Sequence, residues 1–164
     1  MITPLLASAA ALTVLLTGPG PCVPVTGDVA SRVKAAGLTM LDEEAMAMHI
    51  HPHLTVYVDG RRVPVPADVG IDRTGPKPRY SPLHTHDRSG KLHVESAVWR
   101  DFTLGQFLVE WGVRCSGGRA TVDGVAFRGD PSRIVLHDKD DIKLFYGVGT
   151  VSSTSASKQV RSPV

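Results

Sequence analysis

The chain has 164 residues, 42% of them apolar and 21% charged. Eighteen lysines and arginines against sixteen acids leave a formal charge of +2, and the basic residues are scattered, so the electrostatic footprint of a nucleic-acid binder is missing. Two cysteines, Cys22 and Cys115, exclude both a cysteine-dense scaffold and a cysteine-rich zinc module.

Residues 1–30 contain no lysine or arginine and one acid, Asp28. Residues 5–16 form an apolar run of secretory-signal length, short of the roughly 20 residues that a membrane-spanning helix needs. Cys22 follows it as a candidate for lipid attachment and a membrane tether, although Pro19-Gly20-Pro21 departs from the small-residue box expected there. Segment 1–30 therefore reads as a signal-like stretch with a Pro/Gly linker, and the protein as exported or at the cell surface. Residues 31–149 read as a single His-rich α+β domain of about 120–130 residues, enough for one core. Ser/Thr-rich residues 150–164 read as a disordered tail.

Within the domain, residues 31–48 have helix-forming composition, with Val33, Leu38, Met40 and Leu41 as anchors and Gly37 as an interruption. Residues 50–58 predict a strand. The even positions there are Ile, Pro, Leu, Val and Val, while the odd positions from 49 to 59 are His, His, His, Thr, Tyr and Asp. Asp59-Gly60 signals a hairpin turn, and residues 62–65 return as a strand that Pro64 and Pro66 confine to an edge. Residues 72–82, with three prolines, read as a loop.

A second hairpin is expected from residues 83–86 and 91–98. Centring its turn between Arg88 and Ser89 pairs His84 with His93 and His86 with Lys91. In that register His84, His86, His93 and Glu95 share one face, and Leu92 and Val94 face the core. Thr103 and Gln106 form a capping-box pair for a helix over 104–111, whose Leu104, Phe107, Leu108 and Trp111 make one apolar stripe, with Gly112 as its stop. Strands follow at 119–123, 125–127 and 142–146, with a shorter element at 134–136. The order implies an α+β fold, a mixed β-sheet under one covering helix, β-grasp-like; a cupredoxin-like β-sandwich is the alternative.

Six of the seven histidines fall in two clusters, His49, His51 and His53, and His84, His86 and His93. Imidazole is the commonest transition-metal ligand among side chains. Alternate residues of a strand share a face, but one H-x-H strand rarely supplies more than two ligands, so a second strand must close a site. His84, His86 and His93 form the candidate core, with His51 and His53 completing it from a facing strand. Glu95 is a candidate ligand, general base or carboxylate that orients an imidazole, and Asp87 fits the orienting role. Imidazole ligation suits zinc, copper, nickel or iron. Met40, Met46 and Met48 hint at copper, although methionines at such spacing usually fill cores. No cysteine stands beside the histidines to support a blue-copper site. His137, beside Asp138, reads as a surface residue, and Cys115 as the partner of Cys22 or a free buried thiol.

Three functions fit these residues. They are an exported protein holding copper or zinc through clustered histidines, a small metalloenzyme with Glu95 as base, and a metal-free ligand-binding or pH-sensing interaction domain. No G-x-S-x-G, P-loop or dinucleotide motif is present. His84-Thr85-His86 is similar to the H-x-H of barrel hydrolases, but those barrels usually need at least about 200 residues. The cupin pattern matches in part, without its glycine before the first histidine.

Three ordered segments carry a further likeness: His49-Ile50-His51-Pro52-His53-Leu54 with Val58-Asp59-Gly60; Leu83-His84-Thr85-His86-Asp87 with Ser89-Gly90 and His93-Val94-Glu95-Ser96; and Phe102-Thr103-Leu104-Gly105-Gln106-Phe107 with Trp111-Gly112. Together they resemble a family of small exported bacterial proteins, frequent in actinobacteria. The resemblance covers residues 37–147 and implies that the histidines belong to the family's pattern. It brings no established activity.

Overall fold

The computed structural model describes residues 22–147, so the apolar segment at 5–16 and the tail at 150–164 lie outside the described residues. The fold is α+β, with mixed sheets and two helices. Residues 22–30, expected as linker, contribute elements of their own. Strand β1 (Cys22–Pro24) pairs antiparallel with the segment Val113–Cys115, and a disulfide joins Cys22 to Cys115 at the end of that ladder. A sulfur in a disulfide cannot at once carry a lipid thioether.

Helix α1 (Val29–Ala35) starts where the Asp28 carboxylate accepts a hydrogen bond from the Ser31 N–H at 2.8 Å. It ends long before residue 48. Gly37 turns left-handed at φ +74°, and the Gly37 and Leu38 amides donate back to Lys34 O and Val33 O at 3.0 Å, a terminating motif that closes the helix. Val33 and Leu38 are buried as expected of anchors.

The period-two run over 50–58 keeps its parity only in part, with Thr55 buried and Val58 exposed, and it does not keep its continuity. It divides into β2 (Met48–Ile50) and β3 (His53–Val58), which belong to different sheets. Pro52 has no amide to give to a ladder. The neighbouring groups bond elsewhere: Leu92 N–H donates to Pro52 O at 2.9 Å, and His53 N–H donates to Asp140 O at 2.8 Å. Strand β4 (Arg61–Val63) returns through the Asp59-Gly60 turn and forms a sheet edge. The expected loop at 72–82 contains a small antiparallel pair, β5 (Ile71–Asp72) with β6 (Arg79–Tyr80).

Strands β7 (Leu83–His84) and β8 (His93–Ser96) pair with His84 opposite His93, the expected register. The pairing of His86 with Lys91 does not form, because the chain beyond His84 is drawn away from β8. Thr85 N–H donates to Val69 O, and Asp68 N–H to Thr85 O. Lys91 bridges to His53 instead. Gly90 permits this approach: at φ +97°, a Cβ there would lie 2.4 Å from Leu54 O.

Helix α2 (Leu104–Trp111) forms as its capping signals dictate, with Thr103 and Gln106 in a reciprocal capping box and left-handed Gly112 at its end. Leu104, Phe107 and Leu108 belong to one buried core with Leu54, Val56, Ile142 and Leu144. Burial of each such side chain contributes about 1.5–3 kcal/mol before chain entropy is counted. After β9 (Val113–Cys115) come β10 (Arg119–Val122), β11 (Val125–Ala126), a 3-10 turn at Pro131–Arg133 and β12 (Asp141–Tyr146). The main sheet has the order β11-β10-β12-β3-β4, with β12 parallel to β3 and every other pair antiparallel. A separate three-stranded sheet, β2-β8-β7, carries His49, His84 and His93. Among the described residues no helix is long and apolar enough to cross a membrane.

Candidate metal centre

The three-stranded sheet sorts its side chains cleanly. Directly opposed residues of an antiparallel pair lie on the same face. Leu83, Val94 and Ile50 are opposed in one row across the three strands, and all three are buried in the core. The adjacent rows therefore face the other way: His84 opposite His93, and Glu95 opposite His49. His51 and His86 lie two residues beyond His49 and His84, so each chain brings a second imidazole toward that face.

These side chains form two overlapping groups, His84-His86-His93-Glu95 and His49-His51-His93-Glu95. In each, one donor atom per residue lies within 4.8 Å of all the others. The Nε2 atoms of His84 and His86 are 3.2 Å apart, and those of His49 and His51 are 3.1 Å apart. Two nitrogens on one tetrahedral zinc ion, each at about 2.0–2.1 Å, stand about 3.3 Å from one another. The spacing within each pair is thus a chelating bite. The His93 ring lies between them, 4.5 Å from the His86 ring and 4.6 Å from the His51 ring, nearly perpendicular to both.

For His84 and His93, hydrogen bonds at Nδ1 leave the Nε2 lone pair free. A carbonyl oxygen only accepts, so the contact of 2.8 Å from His84 Nδ1 to Ser81 O places the proton on Nδ1 and leaves Nε2 as the donor atom for a metal. His93 Nδ1 lies 3.1 Å from Glu95 Oε1, the carboxylate–imidazole contact that orients metal-binding histidines. The same Oε1 is 3.2 Å from His49 Nε2. Glu95 is 4% exposed, and its Oε2 is buried with no hydrogen-bond partner among the described residues. Leaving such an oxygen unmatched costs about 1–3 kcal/mol or more.

Burial also sets the charge state. It pushes His84 down to about 4, and the nearby His86 and His93 rings add to the shift. His93 falls to about 4 for the same leading reason, helped by His86 and Lys91. His51 is lowered by burial first, then by His93 and His49. Neutral imidazole is the ligating form.

The other expected residues lie elsewhere. His53 is outside both groups: its Nε2 donates to Ser89 O at 3.0 Å, and its Nδ1 faces Asp141 at 3.8 Å. It follows β3 into the main sheet, which is how the break at Pro52 separates it from His49 and His51. Asp87 accepts from Ser89 N–H in a local turn. Met48 is buried beside Ile50, Met40 packs against the core, and Met46 is exposed. His137 is exposed beside Asp140.

Two acids escaped the sequence reading. Glu44 Oε1 lies 3.3 Å from His86 Nε2 and 3.7 Å from His84 Nε2 at the open edge of the centre. It sits in a segment without periodicity, and no signal marked it. Glu110, on α2, is 1% exposed; Ser81 Oγ–H donates to its Oε1 at 2.7 Å, while its Oε2 has no partner among the described residues. Burial pushes this carboxyl up to about 8. Through Ser81 it stands directly behind the residue whose carbonyl orients His84.

No family model, curated protein or solved structure matches the chain. What the centre can do is set by its donors, and histidine and glutamate groups of this geometry could hold a metal ion.

Proposed function

We propose that this protein is an exported transition-metal-binding protein that holds copper or zinc through His84, His86 and His93, with Glu95 as a ligand or as the carboxylate that orients the imidazoles. The observation that carries this reading is the bite of each H-x-H pair, with Nε2 atoms 3.1 and 3.2 Å apart beside a buried carboxylate. Imidazole-rich ligation favours copper and zinc among the ions that an extracytoplasmic protein meets. The Cys22–Cys115 disulfide supports an oxidising compartment, as does the likeness to small exported bacterial proteins. The burial of Glu95, with Oε1 against His49 and His93, supports a ligating or orienting role over that of a base working on substrate. For the frame we favour a β-grasp-like arrangement: a hairpin, a helix, a second hairpin and a last strand parallel to the first.

Calorimetric titration of untagged, chelator-stripped protein with Zn2+ and Cu2+ tests the function. Saturable binding that weakens at least about tenfold in His86→Ala is expected. No uptake of either ion, or uptake unchanged in His86→Ala and His93→Ala, overturns it.

A further inference from the structure

The histidine face offers more ligands than one ion uses. A mononuclear transition-metal site takes three or four protein ligands. Here five imidazoles and Glu95 converge, with Glu44 at the rim, and they divide into groups that share only His93 and Glu95. Each group owns a complete H-x-H pair with its own chelating bite. The first histidine of each pair lies on an outer strand, His49 on β2 and His84 on β7, the second lies just past that strand's end, and both shared residues come from β8 between them. The His93 ring stands almost equidistant from His51 on one side and His86 on the other.

The geometry points to a dinuclear centre: an inner ion at His84, His86 and His93, an outer ion at His49 and His51, and the Glu95 carboxylate bridging the two. This rests on the reading of the face as a transition-metal site and adds a second ion to it. Glu95 has the features of a bridge. One oxygen already lies 3.2 Å from His49 Nε2 and 3.1 Å from His93 Nδ1, and the other is buried with no hydrogen-bond partner among the described residues. A single ion bound through one carboxylate oxygen would leave the second buried and unmatched. Two ions use both.

Charge and exposure order the sites. The His84 side chain is fully buried, and Glu44 adds a second negative charge beside the inner pair. The His49 side chain is 33% exposed, so water completes the outer ion's coordination. Two like-charged ions a few ångströms apart repel, so the outer ion binds second and more weakly.

Metal content decides this. Chelator-stripped protein is loaded with excess Zn2+, freed of unbound ion, and counted by native mass spectrometry and elemental analysis. The wild type is expected to carry two ions per chain. The His49→Ala/His51→Ala variant, altered at exposed and half-buried positions, and the near-isosteric Glu95→Gln are each expected to carry one, with folding checked by circular dichroism. One ion in the wild type, retained by His49→Ala/His51→Ala, overturns the second site and leaves the proposed function standing. One ion lost on disabling either pair shows a single shared site and also overturns it. Two ions retained by Glu95→Gln overturn the bridge. No ion in the wild type overturns this inference and the proposed function together.

Discussion

The two H-x-H pairs share a motif and a bite, yet they sit in different surroundings. His84 and His86 present Nε2 atoms 3.2 Å apart, and His49 and His51 present theirs at 3.1 Å. His84, however, has no exposed surface and is held by the Ser81 carbonyl, with Glu110 buried behind Ser81. His49 is held by Glu95 and His51 and remains one-third exposed. Strand parity sets the spacing of a ligand pair. The packing around it sets how rigidly the pair is held and how dry it is, which governs affinity and selectivity.

The sharpest test of that contrast lies behind the buried pair. The Glu110 carboxyl, ordinarily at 4.5, is raised to about 8 by burial, against the opposing pull of Ser81 and Arg32. Between those values the folded chain keeps a proton that the unfolded chain releases, so stability falls as pH rises through this window. The full span is on the order of 5 kcal/mol. Glu110→Gln, always neutral, is expected to flatten this dependence and to be more stable than wild type at pH 9, as read by urea denaturation at stepped pH. An unchanged slope would mean that Glu110 does not titrate as its burial implies.

Side-chain truncation compares the pairs directly. His84→Ala is expected to destabilise the metal-free protein by about 2–3 kcal/mol, since it opens a cavity in packed surroundings. His49→Ala should stay within about 0.5 kcal/mol of wild type. Equal costs would remove the distinction between an enclosed and an open pair.

Removing the shared carboxylate strikes both pairs at once. Glu95→Ala takes the acceptor from His93 Nδ1 and the neighbour from His49 Nε2, at a cost of about 1–3 kcal/mol in the metal-free protein. It should also weaken metal binding by about 10–100-fold in competition titrations. The smallest effect belongs to His53→Ala. His53 lies outside both groups, so metal uptake should be unchanged and stability should move by less than about 0.5 kcal/mol. Loss of metal from that variant would return His53 to the centre.

Much of the scaffold was legible because local signals agreed. Thr103, Gln106 and Gly112 marked both ends of α2, and centring one turn between Arg88 and Ser89 was enough to set His84 opposite His93. Alternation placed Leu54 and Val56 in the core, but Thr55 between them is buried as well and Val58 is exposed. The break at Pro52 was harder to see, because alternation continues through a residue that cannot serve a ladder. That break sends His53 to another sheet and keeps His51 with His49. Glu44 and the hairpin of β5 and β6 depend on contacts distant in sequence, such as the bridge from Leu41 to Tyr80. Glu110, next to an apolar stripe, had no pattern to announce its burial.

The bond between Cys22 and Cys115 spans 93 residues, and every metal-binding candidate from Glu44 to Glu95 lies inside that span. In topological terms, the candidate metal centre rides on a closed covalent ring. A single peptide cut anywhere between the two cysteines opens the ring without separating the pieces. The β2 and β7 pairs then stay joined to one molecule even when a protease has cleaved the chain between them.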